Sequence, residues 1–379
     1  MQANHNYPNP YSARVFNIAL LAFLLFTFFL SPLAIAQNYP QPVKGVWTLK
    51  DFKFHTGEVL PELNIGYQTL GSASGIPVVV LHGTTSSSQS LLNPAFAGEL
   101  FGPGQVLDAN KYYIILPDSI AAGKSSKPSD GLRMKFPHFD YSDVVHAQYS
   151  MIHDGLNVKH LRLVMGNSMG GMQTWLWGID YPDYMDILVP MASMPIEMSG
   201  RNWMLRRLLI DAIRNDPDWH NGEYSKQPEG VKRVSIFFSV ATNGGTQALQ
   251  TKGDTRGSAD AFVDRLGRDW NDGDANDLLY KWESSQNFNP SKDLEKIKAK
   301  VLAINSADDE RNPPQLGVME RELKRITNAE YYLIPASDKT LGHGTVGLAR
   351  LWKDQLEHIL KRTPLSTCVS CADAALVHY

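Results

Sequence analysis

A serine between glycines, an acidic turn and a histidine follow one another along the chain in an order that suits nucleophilic catalysis. Ser168 lies in "VMGNSMGGM" (164–172), the acidic turn reads "SADDERNPP" (306–314), and His343 lies in "PASDKTLGHGTVG" (335–347). A serine hydroxyl is a weak nucleophile at neutral pH and needs a base that a carboxylate orients. The pattern therefore predicts covalent catalysis, with Ser168 as nucleophile and His343 as base.

The acidic turn offers more than one candidate for the orienting acid. Asp308, Asp309 and Glu310 are consecutive, and we favour Asp309, four residues before Pro313, with Asp308 as its capping neighbour. These acids could instead form a solvated turn or a helix N-cap. By the same standard, the glycines around the serine could form a structural loop, and the histidine could be an exposed loop residue.

The segments around Ser168 favour the catalytic interpretation. The apolar run "LRLVMG" (161–166) predicts a buried strand, and "MGGMQTWLWGIDYP" (169–182) predicts a helix that starts directly after the serine. A sharp strand–serine–helix turn is a nucleophile elbow, and it leaves the N–H of Met169 as one oxyanion donor. The second donor should follow the strand "IPVVVLHG" (76–83), where the N–H of Thr84 is the candidate.

Apolar runs alternate with helical patterns along most of the chain, which predicts an α/β fold with a mostly parallel sheet and helices on both faces. Two antiparallel-type strands are expected within 46–71 and six buried strands after them. The predicted core comprises residues 45–194 and 296–363, and residues 364–379 form a C-terminal tail. Residues 195–295 lack a convincing buried strand. Their helical pattern predicts a helical cap over the carboxyl ends of the strands. Its tryptophans are candidate pocket walls, although core packing is the alternative for each: Trp203, Trp219, Trp270 and Trp282.

Composition argues against several classes of partner. The 379 residues carry a formal charge of −3, with 43% hydrophobic and 20% charged residues, which is an ordinary globular balance without a nucleic-acid surface. No phosphate-binding glycine loop and no set of metal ligands at characteristic spacing is present. We therefore expect no cofactor and no metal, and a small-molecule acyl substrate as the partner. A homodimer is left open.

The N-terminus has the pattern of an export signal. "VFNIALLAFLLFTFFL" (15–30) is apolar throughout, and Ala34-Ile35-Ala36 is a small-x-small cleavage pattern. We expect residues 1–36 to be a signal peptide cleaved before Gln37, with the protein periplasmic or secreted; the alternative is an uncleaved N-terminal anchor. Export would allow Cys368 and Cys371 in the tail to form a local disulfide.

Longer motifs carry a family resemblance. "GNSMGGMQTW", "DAIRNDPDWHNGEY" and "DANDLLY" resemble the homoserine O-acetyltransferase branch of the α/β-hydrolase superfamily, over about residues 45–360. The resemblance implies the α/β-hydrolase fold with a helical cap. It also implies that Ser168 is acylated, that His343 acts as general base and then general acid, and that Asp309 orients the imidazole.

Departures from that branch bear on the acyl acceptor. The resemblance implies an aspartate after the catalytic histidine, to help bind the amino group of homoserine, and a cap segment with tyrosine and arginine. This chain has Gly344 and "IFFSVA" (236–241) instead, and acetyl-CoA is a cytosolic donor. The leading hypothesis is thus an exported serine hydrolase of an ester or related acyl substrate. The alternatives are an acyltransferase that uses another alcohol and a non-catalytic binding protein on the same scaffold.

Overall fold

The structure is a computed structural model that describes residues 38–270 and 273–366. The fold is one compact unit that begins at Tyr39. The predicted signal peptide, Cys368 and Cys371 lie outside the described residues. Within the described ranges, no helix has the length and hydropathy needed to cross a bilayer.

An eight-stranded sheet forms the centre of this unit, in the order β1-β2-β4-β3-β5-β6-β7-β8. Strands β1 and β2 pair antiparallel, β2 and β4 pair antiparallel, and every other neighbouring pair is parallel. The predicted α/β fold with a mostly parallel sheet is therefore confirmed. The strands are β1 Val43–Lys53, β2 Val59–Leu70, β3 Ile76–Leu81, β4 Tyr112–Pro117, β5 Leu161–Asn167, β6 Met185–Met191, β7 Lys300–Ser306 and β8 Ala329–Ile334.

Helices follow most strands and cover the sheet. The α-helices are α1 Ala97–Leu100, α2 Tyr141–Ser150, α3 Met169–Asp180, α4 Gly200–Arg214, α5 Glu229–Thr242, α6 Thr246–Lys252, α7 Arg256–Asp269, α8 Ala275–Glu283, α9 Val318–Glu322 and α10 Lys353–Arg362. Shorter 3₁₀ segments are Ser88–Leu91, Pro128–Asp130, Arg133–Lys135, His220–Gly222, Pro290–Lys292, Leu294–Lys296, Pro314–Leu316, Leu323–Arg325, His343–Gly347 and Ala349–Leu351, and Met151–Gly155 forms a π-helical turn.

The central strands read as continuous apolar runs because both faces of the sheet are covered. On one face, side chains such as Val79 and Val164 pack against Val144 of α2 and Trp175 of α3. On the other face, a separate apolar cluster joins the sheet to α1 and α10. Burial on both faces removes the alternation of apolar and polar residues that a one-sided sheet would show.

The order of the strands brings distant loops to one edge of the sheet. Strand β3 has β4 on one side and β5 on the other. Successive strands are therefore added on opposite sides of β3, which makes it the switch point of the sheet. Open α/β sheets bind ligands in the crevice at such a switch point, beyond the carboxyl ends of the strands. The loops after β3, β5, β7 and β8 all emerge at that edge, and they contain the residues singled out above.

Between β6 and β7 the described residues form five α-helices, α4 to α8, which we call the cap helices. They have an apolar cluster of their own, in which Leu209 and Ile213 of α4 pack with Phe238 of α5 and with Leu279 and Trp282 of α8. The end of α5 also contacts the loop of the predicted base, because Gly244 N–H donates to the carbonyl of Leu341 at 2.8 Å. The cap helices are therefore tied directly to the edge of the sheet that carries the candidate site.

Candidate active site

Ser168 occupies a strained turn between β5 and α3. Its φ is +56° and its ψ is −111°, a conformation that a non-glycine residue adopts only when its surroundings impose it. Its N–H donates to the carbonyl of Met191 at 2.9 Å, and its carbonyl accepts from Met172 N–H at 2.8 Å. The turn is therefore held from the neighbouring strand on one side and from the first turn of α3 on the other.

The two glycines of the motif allow close backbone approach on either side of this turn. A Cβ at Gly166 would lie 2.4 Å from the backbone of Gly170. A Cβ at Gly170 would lie 2.4 Å from the carbonyl oxygen of Leu81 in β3. Both positions require glycine because α3 starts directly against the sheet.

The structure brings Ser168, His343 and Asp309 into one hydrogen-bonded chain. The Ser168 Oγ and His343 Nε2 are 2.8 Å apart, and the His343 Nδ1 lies 2.8 Å from Asp309 Oδ2. Because the carboxylate can only accept, Nδ1 carries the proton and Nε2 accepts from the serine hydroxyl. All three side chains are buried, so the hydrogen bonds between them are sheltered from bulk water.

Asn312 supports the carboxylate and was not singled out from the sequence. Its side-chain N–H₂ group donates to Asp309 Oδ2 at 2.8 Å and to the carbonyl of Ala192 at 2.9 Å. The other carboxylate oxygen accepts from the backbone N–H of Arg311 at 2.8 Å. Asparagine three residues after an aspartate is a common turn pattern, so its sequence signal was weak.

Asp308 has a different role from its neighbour. Its Oδ1 accepts from Ser306 Oγ at 2.5 Å, and its Oδ2 accepts from Thr340 Oγ1 at 2.7 Å and from Gly342 N–H at 3.2 Å. Asp308 thus anchors the loop that carries His343, and it does not face the imidazole. The geometry favours Asp309 for the orienting role.

Burial and the neighbouring charges set the protonation of the pair. Burial is the largest influence on His343 and lowers its pKa below the usual value, against the opposing effect of Asp309. Burial alone would raise the pKa of Asp309, but His343, Asn312 and the Arg311 N–H together hold it below its usual value. The base is therefore neutral and the acid ionised near pH 7.

The predicted oxyanion donors flank the serine. Thr84 is buried and lines the same pocket as Ser168, and neither its N–H nor its hydroxyl has a hydrogen-bond acceptor among the described residues. Met169 begins α3, where the first N–H groups have no intrahelical partner and the helix dipole favours negative charge. Both residues stay predicted donors for a developing oxyanion.

His82 braces the loop that carries Thr84. Its Nδ1–H donates to the carbonyl of Gly83 at 2.8 Å, and its Nε2 accepts from Ser119 N–H at 3.0 Å. Burial lowers the pKa of His82, so it is neutral and can accept at Nε2. His82 lies directly after β3 and stabilises the loop that carries Thr84. It is not part of the Ser168–His343–Asp309 hydrogen-bonded chain.

A cavity of about 280 Å³ opens onto Ser168 and His343, and cap helices form its outer wall. Its lining comprises Gly83, Thr84, Thr85, Ser86, Ser168, Ser235, Phe238, Ser239, Asn243, Trp270, Trp282, Arg311, His343 and Gly344. Two of the four tryptophans expected as walls, Trp270 and Trp282, are among them. The other two follow the core-packing alternative: Trp219 is buried in the cap cluster with its indole N–H on Asn276, and Trp203 packs beside that cluster.

One histidine–carboxylate group lies outside this pocket. Within the described residues, His55, Asp140 and Asp143 bring three potential metal-ligand atoms within 4.8 Å of one another. Asp140 is the N-cap of α2, and Asp143 Oδ2 already accepts from Asp140 N–H at 3.0 Å and from His55 Nδ1 at 2.6 Å. The existing hydrogen bonds give these residues a structural role at the start of α2.

Comparisons with known proteins agree with this architecture. Residues 76–339 match the family model described as alpha/beta hydrolase fold. A homoserine O-acetyltransferase of Geotalea daltonii (strain DSM 22248 / JCM 15807 / FRC-32) is 29% identical over 339 residues, which is 77% of this chain and 90% of the relative.

Solved structures of both transferases and esterases share the fold. A homoserine O-acetyltransferase from Bacillus anthracis superposes with a TM-score of 0.74 at 21% identity, over 86% of this chain and 100% of that one. The acetyl esterase MekB also gives a TM-score of 0.74, at 24% identity, over 84% of this chain and 96% of that one. The matched family model shows that the chain is an enzyme of the α/β-hydrolase superfamily, and its sequence is similar to that of homoserine O-acetyltransferases.

Proposed function

We propose that this protein is an exported serine hydrolase that cleaves a small ester through an acyl-enzyme on Ser168. The observation that carries the proposal is the chain of two 2.8 Å contacts from Ser168 through His343 to Asp309, at the wall of a cavity. A buried neutral imidazole with an oriented tautomer is what a serine nucleophile needs as its base.

The geometry supports a two-step reaction. The Ser168 Oγ attacks the ester carbonyl while its proton passes to His343 Nε2, and the carbonyl electrons move onto the oxygen between the Thr84 and Met169 N–H groups. The carbon–oxygen bond to the alcohol then breaks, and the imidazolium returns its proton to the leaving alcohol. A water molecule, deprotonated by His343, attacks the acyl-enzyme and releases the carboxylic acid and the free serine.

The lining of the cavity favours water over an amino alcohol as the acceptor. Among the described lining residues none is acidic, and Arg311 contributes a cation. An ammonium group would therefore enter the pocket without a carboxylate to pair with, and an unpaired buried charge is costly. Gly344, next to the imidazole, adds no polar group.

Acyl transfer to a different alcohol is the second candidate. It is favoured by the 29% identity to a homoserine O-acetyltransferase along most of both chains. The same three side chains would serve both reactions, because only the acceptor in the second step differs. The pocket then has to exclude water and bind the alcohol.

The deciding experiment uses residues 37–379 with p-nitrophenyl acetate, with and without homoserine and simple alcohols. We expect steady release of acetate in buffer alone, and no increase in nitrophenol release with any alcohol. Slow hydrolysis that an alcohol accelerates, with formation of its acetyl ester, would instead support the transferase. If a fluorophosphonate fails to label Ser168, the protein is a binding protein and not an enzyme of either kind.

Export is part of the proposal and has a separate test. The apolar run 15–30 and the Ala34-Ile35-Ala36 pattern support it. The full chain, expressed in a bacterium, should be recovered outside the cytoplasm with Gln37 as its N-terminal residue. Recovery of uncleaved protein in the membrane fraction would indicate the N-terminal anchor, and soluble cytoplasmic protein that retains Met1 would contradict export.

A further inference from the structure

Two buried arginines next to the catalytic site have no carboxylate partner. Arg206 of α4 is 0% exposed and Arg311 of the β7 loop is 7% exposed. Every guanidinium hydrogen bond of the pair goes to a neutral side chain. Within the described ranges, no acidic oxygen is close enough to either guanidinium to form an ion pair.

Arg206 is fixed but incompletely satisfied. Its Nε donates to Asn202 Oδ1 at 3.1 Å and its Nη1 to Ser285 Oγ at 3.2 Å, while its buried Nη2 has no hydrogen-bond partner in the described structure. Its guanidinium carbon lies 5.1 Å from the centre of the Trp282 ring. This cation is thus held behind an aromatic wall of the catalytic pocket.

Arg311 lines the catalytic pocket and also a neighbouring cavity that Glu197 borders. Its Nε and Nη2 donate to Thr242 Oγ1 at 3.0 and 2.8 Å, and Nη2 also reaches Asn243 Oδ1 at 3.2 Å. No hydrogen bond joins its Nη1 to another described group, although the residue lines the cavity next to Ser168. The guanidinium packs over Phe238, with 4.2 Å from its carbon to the ring centre. The N–H groups of Nη1 therefore remain available to a ligand.

The two cations act on each other and on the base. Burial, and then the charge of Arg206, lower the pKa of Arg311 to about 9 against the opposing effect of Asp309, so Arg311 is still charged at neutral pH. Arg311 and Arg206 also help to lower the pKa of His343. Buried charges are ordinarily paired, because an unpaired charge in a water-poor site is strongly destabilising. The charge of Asp309 acts on Arg311 within the protein but forms no ion pair with its guanidinium, so a negative charge on a bound ligand would supply the direct partner.

We infer that the pocket selects esters that also carry a carboxylate, which ion-pairs with Nη1 of Arg311 in the field of Arg206. The inference rests on the proposed function, since it names the substrate class of the same site. A carboxylate fits better than a phosphate because the lining supplies a single free guanidinium nitrogen, Nη1 of Arg311, in a cavity of about 280 Å³. A phosphate monoester would bring close to two negative charges and three acceptor oxygens.

The carboxylate could belong to the acyl part or to the alcohol part of the ester, and matched substrates separate the two cases. Monoethyl glutarate is compared with ethyl 5-oxohexanoate for the acyl side. The acetyl esters of 4-hydroxybutanoate and of 5-hydroxypentan-2-one are compared for the alcohol side. In each pair a methyl ketone replaces the carboxylate at similar size, and acid release is followed by pH-stat titration on residues 37–379.

In the wild type we expect kcat/KM for one anionic ester to exceed that of its neutral partner by about 10- to 100-fold, the range for a hydrogen bond between charged groups. Arg311→Gln should remove most of this preference, and Arg311→Lys should retain part of it. The matched control is Arg207→Gln, which removes an exposed arginine paired with Asp211 on the same helix as Arg206. The ratio for the control should equal that of the wild type.

A ratio near one in both substrate pairs would overturn the inference while leaving ester hydrolysis intact. So would an Arg311→Gln variant that lowers kcat/KM equally for both members of the preferred pair, because the arginine would then be only structural. If the wild type hydrolyses no ester, the proposed function has failed. Calorimetric titration with glutarate then decides the inference: binding to the wild type that Arg311→Gln abolishes supports it, and no binding overturns it.

Discussion

The edge of the sheet and the cap helices face the same pocket but are built differently. At the sheet edge, strands such as β3 and β5 are buried on both faces, and their loops place Ser168 and His343 within hydrogen-bond distance. The cap helices have a small apolar cluster of their own and expose large apolar side chains to solvent: Met204, Leu208, Phe237 and Val263. This difference indicates two roles. The sheet edge carries the residues that react, and the cap forms most of the surface around the substrate.

The side chains that each region presents show the same division. The sheet edge contributes a base and an acid whose hydrogen bonds are complete within the protein. The cap contributes the aromatic rings of Phe238, Trp270 and Trp282, and a buried arginine with an unpaired nitrogen. Changes to Ser168, His343 or Asp309 should therefore reduce turnover of every substrate, and changes in the cap should alter which substrate is preferred, as should changes at Arg311 beside them.

The largest effect is expected for the nucleophile. Ser168→Ala should lower kcat by at least about 10⁴-fold for all esters, because no covalent intermediate can form. The fold should persist, since the turn is held by backbone hydrogen bonds that alanine retains. Steady-state kinetics and near-UV circular dichroism check both points. Turnover equal to that of the wild type would disprove the mechanism.

The two adjacent aspartates provide a matched pair at the sheet edge. Asp309→Asn should lower kcat by about 10³- to 10⁴-fold, because the amide no longer favours the tautomer that leaves Nε2 free. Asp308→Asn should cost less than about tenfold, since Asp308 bonds Thr340 and Gly342 and not the imidazole. Equal losses in kcat for the two variants would show that loop anchoring, and not the carboxylate on the imidazole, explains the effect.

The pH profile should report the buried base. His343 must be neutral to accept the serine proton, and burial lowers its pKa below the usual value of 6.5. Activity is therefore retained at pH 6.5 and is lost only as the pH falls through the lowered pKa, by about tenfold per unit below it. The measurement is kcat/KM for a neutral ester between pH 4 and 8. An acid limb centred above pH 6.5 would contradict the effect of burial.

Gly344 allows a charge to be added beside the base without steric conflict. A Cβ at this position would meet only Leu341, at 3.6 Å, and its φ lies outside the positive range. Gly344→Asp should raise the pKa of His343 and move the acid limb to higher pH, because a nearby carboxylate favours the imidazolium. Gly344→Asn, which is neutral and of similar size, is the control. An unshifted limb in Gly344→Asp would show that the new carboxylate lies away from the imidazole.

The smallest effect is expected in the cap wall. Trp270→Ala enlarges the pocket, so the preference for butyrate over acetate esters should rise by a few-fold, while kcat for acetate changes less. Trp203→Ala is the matched control, because Trp203 is also partly buried but does not line the pocket. The p-nitrophenyl esters of both acids measure the ratio. If Trp203→Ala shifts it equally, the effect comes from loosening of the cap and not from the wall.

Local patterns were enough to predict much of the core. Continuous apolar runs predicted all six strands after β2, although the last, β8, is a half-buried edge strand, and the glycines on both sides of Ser168 indicated the turn that the structure shows at φ +56°. These features depend on neighbours in the sequence, on backbone space and on the fact that a parallel sheet is covered on both faces. Residue types and their spacing are therefore sufficient to predict the strands and the turn at Ser168.

Such local patterns do not predict which side chains meet when they are far apart in the sequence. Sequence reasoning ranked Asp309 above Asp308 by a modest margin, and the contact with His343 spans 34 residues. The tryptophans of the cap could not be sorted into wall and core, since all four have the same residue type and a similar helical setting. Arg311 was not singled out, because nothing in "SADDERNPP" reveals that its guanidinium would be buried.

The amino-acid sequence was enough to predict the α/β order of elements, the strand ends that carry the serine, the acidic turn and the histidine, and the superfamily. It could do so because hydrophobic runs, glycine positions and chain order are local properties. The folded arrangement was needed to show which aspartate meets His343, which tryptophans border the cavity, and that two arginines lie next to it without an ion pair among the described residues. Those outcomes depend on how loops from separate strands and helices pack together, and on the charges that this packing removes from water.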